Sequence, residues 1–212
     1  MGQKVNPTGF RLGVINGWNS RWFAKSGLFK VYLMEDQKIR NYLLTNLKSA
    51  GISKIEIERS FDKRTVIAHV SRPGVAIGRG GTGIEQIKNN LVKIIDLKDP
   101  KKLEIKFEEI KLPDMDSFLV ANSIADQLIR RMPFRRAMNQ TLERVKRSGA
   151  KGARIQLSGR LGGSEIARRE TLKDGSIPLH TLRADIDFAE IDAQVPKAGT
   201  VGIKVWIFKG EI

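Results

Sequence analysis

Residues 73–95 read PGVAIGRGGTGIEQIKNNLVKII and place a glycine-rich loop between a short apolar segment and a helical pattern. The loop consists of Gly78, Arg79, Gly80 and Gly81. The apolar residues after it recur at three- and four-residue spacing: Ile84, Ile87, Leu91, Ile94 and Ile95. Glycine lets the backbone approach a ligand closely, and the free N–H groups at a helix start attract anions. The stretch therefore predicts a phosphate-binding loop at the start of a helix.

The segments on either side of this loop complete a recognisable order. A helical pattern on Ile39, Leu43 and Leu47 ends at Gly51, and two alternating runs at 52–58 and 65–70 predict a hairpin joined through residues 61–64. A third strand is predicted at 103–107. Helix, strand, strand, short helix, glycine loop, helix, strand is the order of a type II KH domain, whose GxxG loop clamps backbone phosphates of RNA.

The whole chain is predicted to be α+β and to have three parts. Residues 1–36 form an N-terminal extension that mixes basic and aromatic residues, and residues 37–110 form the KH domain, a three-stranded sheet packed on helices. Residues 111–212 form a second α+β domain, with two helices separated at Pro133 and a mixed sheet. The aromatic residues of the extension either stack on RNA bases or dock on the protein's own core, and both alternatives stay open.

The charge of the chain points to a polyanion as its partner. Lys and Arg number 38 against 23 Asp and Glu, which gives a net charge of +15. Residues 130–173 hold 13 basic and 3 acidic residues, whereas residues 174–212 hold 4 and 6. No apolar run reaches the roughly 18 residues of a membrane span, so nucleic acid is the expected polyanion. The absence of cysteine excludes disulfides and thiolate sites and indicates a reducing, cytoplasmic location.

Catalytic functions are not supported by the motifs. A nucleotide-binding P-loop needs Gly-Lys-Ser/Thr, which neither residues 78–81 nor the second glycine-rich stretch at 159–164 supplies. No nucleophile and base can be assembled around His180, and His69 is too far from it in sequence to argue for a metal site. We expect a non-enzymatic RNA-binding protein with no catalytic residue, cofactor or metal. A nucleic-acid-processing enzyme and a free KH-type RNA regulator remain the alternatives.

Further stretches carry a close family resemblance. They are MGQKVNP at 1–7, FRRAM at 134–138, SGRLGGSEIAR at 158–168, PLHTLRADID at 178–187 and GIKVWIFKGE at 202–211. With the glycine loop, they resemble bacterial-type small-subunit ribosomal protein three over nearly the whole chain. The resemblance implies a structural constituent of the small subunit, bound to rRNA in the lower part of the head beside ribosomal proteins ten and fourteen. It also implies a place where mRNA enters, near proteins four and five, at which message is guided and its helices are opened.

The resemblance also assigns residues to these contacts. Arg135 and Arg136 match the basic pair of the family's mRNA helix, but Asn139 stands where relatives are often basic. Arg130 and Arg131 are expected to compensate, with Arg131 and Arg135 on one face if the helix passes Pro133 without a large kink.

The remaining basic residues are expected to bind rRNA. These candidates are Lys4, Arg11, Arg21, Arg144, Arg147, Arg160, Arg168 and Arg169. For Arg135, Arg136, Arg144 and Arg147, rRNA anchoring or a solvated helix face stays open beside message contact, because phosphate contacts commonly only position a protein.

Overall fold

A computed structural model describes residues 3–60, 63–95, 99–196 and 198–212, and of Arg79 it describes the backbone. The predicted hairpin turn at 61–64 and the stretch at 1–7 therefore lie partly outside the described residues. The chain forms two compact units. We call residues 18–111 the central unit, and residues 3–17 together with 112–212 the terminal unit.

Helices and strands alternate along the described chain, with short 3₁₀ turns between some of them. The helices are α1 (Pro7–Phe10), α2 (Ser26–Asn46), α3 (Pro73–Ile77), α4 (Thr82–Ile95), α5 (Ser117–Ile129) and α6 (Phe134–Arg147). The strands are β1 (Ser20–Arg21), β2 (Ile52–Arg59), β3 (Arg64–Val70), β4 (Leu103–Glu109), β5 (Gly152–Gly159), β6 (Arg168–Gly175), β7 (Ala184–Val195) and β8 (Gly199–Glu211).

The sheet of the central unit has the order β1-β2-β3-β4 within the described residues. β2 and β3 are antiparallel, with Ile57 opposite Val66, and β4 runs parallel to β3, with Ile105 opposite Val66. α2 and α4 share one core with these strands. Its fully buried members include Ile39, Leu43, Ile57, Leu91 and Leu103. The predicted order of helix, strand, strand, short helix, glycine loop, helix and strand is confirmed.

The structure corrects the expectation of a single extension over residues 1–36. α2 begins at Ser26, well before the predicted helical pattern, and β1 pairs with β2 in the sheet of the central unit. Residues 3–17 instead belong to the terminal unit. The first half of α2 gives no periodic signal because Leu28, Phe29, Leu33 and other apolar side chains lie exposed around it. A helix without one apolar stripe cannot be recognised from periodicity.

The aromatic residues near the start of the chain divide between the two alternatives. Trp22 packs against Phe29 and Tyr32 with ring centroids 5.3 and 5.8 Å apart, so it docks on its own unit. Trp18 and Phe23 are 67% and 91% exposed. Stacking on RNA bases therefore stays open for these two rings.

A buried ion pair fastens α2 to β2. Arg59, at the end of β2, donates to Asp36 and Glu35 on α2, and the side chains of Arg59 and Asp36 are almost fully buried. Asp36 also accepts hydrogen bonds from Trp22 Nε1 at 2.8 Å and from Ser20 Oγ at 3.1 Å. The Asp36 carboxylate thus connects α2 to Ser20 and Trp22 at the start of the central unit and to Arg59 at the end of β2.

The sheet of the terminal unit has the order β6-β5-β8-β7, and each of its pairings is antiparallel. α5 and α6 cover one face of it. The core between helices and sheet includes Ile124, Met138, Ile155, Ile203 and Val205. The two predicted helices are confirmed, and the expected mixed sheet is corrected to an antiparallel one. β6 is missing from the predicted strands because its sequence, RRETLKDG, is almost wholly polar.

Arg11 has a structural role that corrects its assignment as an rRNA contact. Its side chain is fully buried in the terminal unit. The guanidinium donates to the carbonyl oxygens of Pro7 at 3.1 Å, Leu179 at 3.2 Å and Thr181 at 2.9 Å. Arginine presents several donors in a fixed plane, so one side chain can join the first helix to the loop before β7.

Replacing Asp36 with Ala tests the buried pair. The change removes the more deeply buried of the two carboxylates that pair with Arg59, and breaking a buried ion pair typically costs about 3–5 kcal/mol. We expect a loss of that order in the free energy of unfolding of the central unit, measured by urea denaturation. The control is Lys38→Ala, an exposed position on the same helix. Equal stability of the two variants would contradict the role given to Asp36.

Candidate nucleic-acid interface

The glycine loop turns the chain from α3 into α4 through left-handed backbone. Gly78, Gly80 and Gly81 have φ angles of 71°, 62° and 82°. Residues with a Cβ rarely adopt this region, so the three glycines are needed for the turn itself. The first turn of α4, whose N–H groups point back towards the loop, follows directly. The loop can therefore present backbone donors to an anion, as its sequence predicts.

Gly83, the second residue of α4, is a requirement that the motif did not reveal. A Cβ at this position would lie 2.8 Å from the carbonyl oxygens of Ala76 and Ile77, and a Cβ at Gly78 would lie 3.1 Å from Gly83 N. The end of α3 thus packs directly on the first turn of α4. Only the spacing Gly-x-x-Gly-x-Gly in the sequence hints at this close approach.

Apolar side chains lie exposed beside the loop. Ile77 is 36% exposed, Val75 is more exposed, and Ile84 is half-buried. Ile77 and Ile84 are therefore not core residues, and the surface they form suits unstacked bases. Glu85 in the first turn of α4 is the acidic group nearest the helix start in sequence, and it opposes anion binding there.

The outer face of the central sheet pairs its charges internally. Arg21, an rRNA candidate, donates to Glu56 at 2.9 Å and to Glu58 at 3.2 Å. Burial raises the pKa of the Glu56 carboxyl, but the hydrogen bond and charge of Lys54, with the charges of Arg21 and His69, outweigh it and set this pKa below its ordinary value. A cation held by two carboxylates is a weaker candidate for RNA than an unpaired one.

The basic residues before α6 do not share its face. α5 ends at Ile129, Arg131 has a left-handed φ of 63°, and Pro133 precedes the first turn of α6. The expectation that Arg131 and Arg135 lie on one helix face is therefore wrong, because no continuous helix passes Pro133. Arg130 and Arg131 are both exposed in the connection.

Two arginines that are far apart in sequence meet at Phe134. The guanidinium carbons of Arg135 and Arg168 lie 5.7 and 5.6 Å from the centroid of the Phe134 ring. Glu170 lies between them, 4.0 Å from Arg135 and 3.7 Å from Arg168. The Arg135 side chain is 76% exposed. We call Phe134, Arg135, Arg168 and Glu170 the arginine cluster. Of these, Phe134 and Glu170 were not predicted.

The other candidates differ in how free they are. Arg144 donates to Ser123 Oγ at 3.1 Å and lies 3.9 Å from Asp114, so it ties α6 to its neighbours. Arg147 is exposed, with Glu143 on the next turn at 3.6 Å. Arg160 donates to the carbonyl of its own loop at Ser164. The basic candidates that are exposed without a salt bridge to a described residue are Lys4, Arg130, Arg131, Arg136, Arg160 and Arg169.

The inner edge of α6 is neutralised by β6. Lys146 donates to Asp174 at 2.8 Å, and this hydrogen bond with the charge of Asp174 raises the pKa of Lys146 above its ordinary value.

Within the described chain, no cluster of three His, Cys, Asp or Glu side chains is placed to hold a metal ion. None of the described helices combines the length and apolar character that a membrane span requires.

Comparison with known proteins gives two family matches and many relatives. Residues 38–115 match the KH domain, and residues 124–207 match the C-terminal domain of ribosomal protein S3. The chain is 50% identical to small ribosomal subunit protein uS3 of Pelagibacter ubique over all its 212 residues, which cover 92% of that relative. The uS3 proteins of Caldicellulosiruptor saccharolyticus and Lachnoclostridium phytofermentans are 50% and 52% identical, each covered to 94% by the whole chain.

Adding a methyl group at Gly83 tests the close packing of α3 on α4. Gly83→Ala must displace two carbonyl oxygens, so we expect a loss of about 1–3 kcal/mol in the free energy of unfolding. Gly74→Ala is the matched control, because its Cβ would meet nothing within 4 Å and alanine favours helix. The measurement is the midpoint of urea unfolding, and a midpoint for Gly83→Ala at or above that of Gly74→Ala would refute the packing argument.

Proposed function

The chain belongs to the family of small ribosomal subunit protein uS3, and from this we propose that it anchors small-subunit rRNA and also holds mRNA where the message enters the subunit. That the protein is a structural, RNA-binding component of the small ribosomal subunit and not an enzyme follows from the family. The contacts with message, the place in the head and the neighbouring proteins are the proposed part.

The observation that carries the message contact is the arginine cluster. Two guanidinium groups on one ring present planar donors to phosphate oxygens, and the ring restricts their motion. Arg136 is exposed next to them, and Arg130 and Arg131 extend the positive surface into the connection before α6. Asn139 is exposed and uncharged at a position where relatives are often basic. Arg130 and Arg131 are therefore the groups that would compensate for the missing charge at Asn139.

The rRNA contact is assigned to residues away from this cluster. Lys4 and Arg169 are exposed and without a described acidic partner, and Arg160 and Arg147 are exposed with weak local contacts. These sites suit the backbone of rRNA in the lower part of the head. Ribosomal proteins ten and fourteen are the proposed neighbours there, with four and five near the incoming message. The resulting location is the ribosome of the cytoplasm.

The two alternative functions receive no support from the described residues. A nucleic-acid-processing enzyme needs a set of acid, base or metal groups in one site. In the arginine cluster, Glu170 is the one acidic member, and the cluster contains no second group that could act with it as acid or base. A free KH regulator would account for residues 38–115 but not for the ribosomal C-terminal domain that follows.

Removing two guanidinium groups tests the unwinding role. In small subunits reconstituted with Arg135→Ala/Arg136→Ala, we expect translation through a stable mRNA hairpin to slow about three- to tenfold, since each exposed charge pair contributes up to about 1 kcal/mol. Translation of an unstructured message should stay near wild type. The control is Lys38→Ala/Lys48→Ala, which removes the same charge from exposed positions of the central unit that carry no proposed RNA contact. Undiminished translation through the hairpin would reject the proposal.

A charge placed in the glycine loop tests whether that loop holds phosphate. A Cβ at Gly81 would meet nothing within 4 Å, and Asp and Asn tolerate left-handed backbone better than most residues. Gly81→Asp should weaken RNA binding by about tenfold relative to Gly81→Asn, because a carboxylate near a phosphate costs roughly 1–2 kcal/mol. Fluorescence anisotropy with labelled RNA measures the difference. Equal affinities for the two variants would remove the loop from the RNA-binding surface.

A further inference from the structure

β6 sorts its charges onto two faces. Glu170 and Asp174 point towards α6, where they meet Arg135 and Lys146. The alternate residues of the strand, Arg169, Thr171 and Lys173, are exposed on the opposite face. Successive side chains of a strand point to opposite faces, so both carboxylates of β6 lie on the inner side together with Arg168, and the outer side carries only cations and Thr171.

The neighbouring strand extends this outer face. Arg169, Thr171 and Lys173 lie opposite Ser158, Gln156 and Arg154 of β5. Residues that pair directly across antiparallel strands share one face of the sheet. The intervening residues of β5, Ala153, Ile155 and Leu157, are buried in the core below. We call Arg154, Gln156, Ser158, Arg169, Thr171 and Lys173 the outer strip. All six members are polar, and three are cations.

Arg154 is held in place within the outer strip. Its guanidinium lies 4.9 Å from the ring centroid of Trp206, and one of its terminal nitrogens donates to Gln156 at 3.3 Å. Its Nε is buried and has no hydrogen-bond partner in the described chain. None of Arg154, Arg169 and Lys173 forms a salt bridge with a described residue. Three cations on one face of two strands thus lack a counterion among the residues that the structure describes.

The other half of the same sheet face is different. On β8 and β7, Lys204 is paired with Glu190 at 2.8 Å, and Asp192 is exposed nearby on β7. Further along β8, Trp206 and Phe208 are buried, and Ile177 and Leu179 pack against the cluster that they form. The unpaired positive charge is therefore confined to β5 and β6, at the edge of the sheet.

We propose that the outer strip is a further RNA-binding site, which takes the sugar–phosphate backbone of a single-stranded or helical segment along β6. The proposal rests on the proposed RNA-binding function and adds a surface separate from the glycine loop and the arginine cluster. The outward cations Arg169 and Lys173 are four residues apart on β6, which places them about 13 Å apart with the outward Thr171 midway between them. Thr171, exposed between the cations, can donate to phosphate or ribose oxygens, whereas Gln156 is buried and accepts a hydrogen bond from Arg154.

The composition of the strip favours RNA over a protein partner. The buried centre of a protein–protein interface is enriched in aromatic and apolar groups and depleted of charge. The outer strip has no apolar side chain to offer, because those of β5 point into the core. Unpaired cations with neutral hydrogen-bond donors between them match a phosphodiester backbone instead.

The first test is a salt titration of the full chain with labelled oligouridylate. Arg169→Ala/Lys173→Ala should bind more weakly and lower the slope of log affinity against log salt by about 1.4, since each phosphate neutralised on a single strand contributes roughly 0.7. Lys38→Ala/Lys48→Ala removes the same charge from exposed positions of the central unit and should leave the slope unchanged. Equal slopes for the two double variants would overturn the proposal.

The second test locates the RNA directly. Because the chain has no cysteine, Thr171→Cys and Asp192→Cys each provide one site for a photoactivated crosslinker on the same sheet face. We expect crosslinks to oligouridylate from the Thr171 position, lost on adding Arg169→Ala/Lys173→Ala, and few from the Asp192 position. Crosslinks that are equal at both positions would overturn the proposal.

Polyglutamate separates an acidic protein partner from RNA. If it displaces the oligouridylate crosslink at the Thr171 position at a lower concentration of charge than unlabelled RNA does, the strip favours acidic protein and the proposal is wrong. A wild-type chain that binds no RNA would instead contradict the proposed function as a whole. Binding by the wild type with no effect of the strip variants would contradict this inference alone.

Discussion

Repulsion among 38 basic side chains is the constraint that the rest of the structure has to satisfy. The fold satisfies it by placing acidic side chains where cations are needed for packing. Asp36 lies against the buried Arg59, and Glu170 and Asp174 face α6 from β6. Because these carboxylates point inward or towards a helix, they neutralise cations used in packing, and several outer cations such as Arg136 and Arg169 have no acidic partner among the described residues. The positive surface available to RNA therefore consists of the exposed cations that these acidic side chains do not pair with.

The same side chain therefore has two uses that composition alone does not separate. Arg11 and Arg59 are buried, where a guanidinium satisfies several carbonyl or carboxylate oxygens that no other side chain would reach together. Arg136 and Arg169 are exposed and without a described acidic partner. A count of basic residues along the sequence finds the charged region, but which arginines face solvent depends on contacts with residues far away in the chain.

The sequence was most informative where the signal is local. The glycine loop and the order of elements around it could be predicted, because left-handed glycines and the periodicity of α4 are properties of neighbouring residues. The first half of α2 and the polar strand β6 could not, since each is stabilised by its neighbours and not by an apolar pattern of its own. Arg135 and Arg168 lie close together because β6 packs beside α6, and no local sequence pattern reveals this contact between distant segments.

The contacts of the exposed cations also differ in how readily RNA can replace them. In the arginine cluster, Glu170 lies at the outer limit of ion-pair distance from Arg135, and the Arg135 side chain is largely solvated. Exchange of this carboxylate for a phosphate costs little, and the reverse exchange is equally easy, which suits the proposed contact with a moving message. On the outer strip no described carboxylate competes for Arg169 or Lys173, and Arg154 is already held against Trp206. On a surface where one cation is held in place and no carboxylate competes for the others, a bound phosphate backbone is released more slowly, as a stationary rRNA requires.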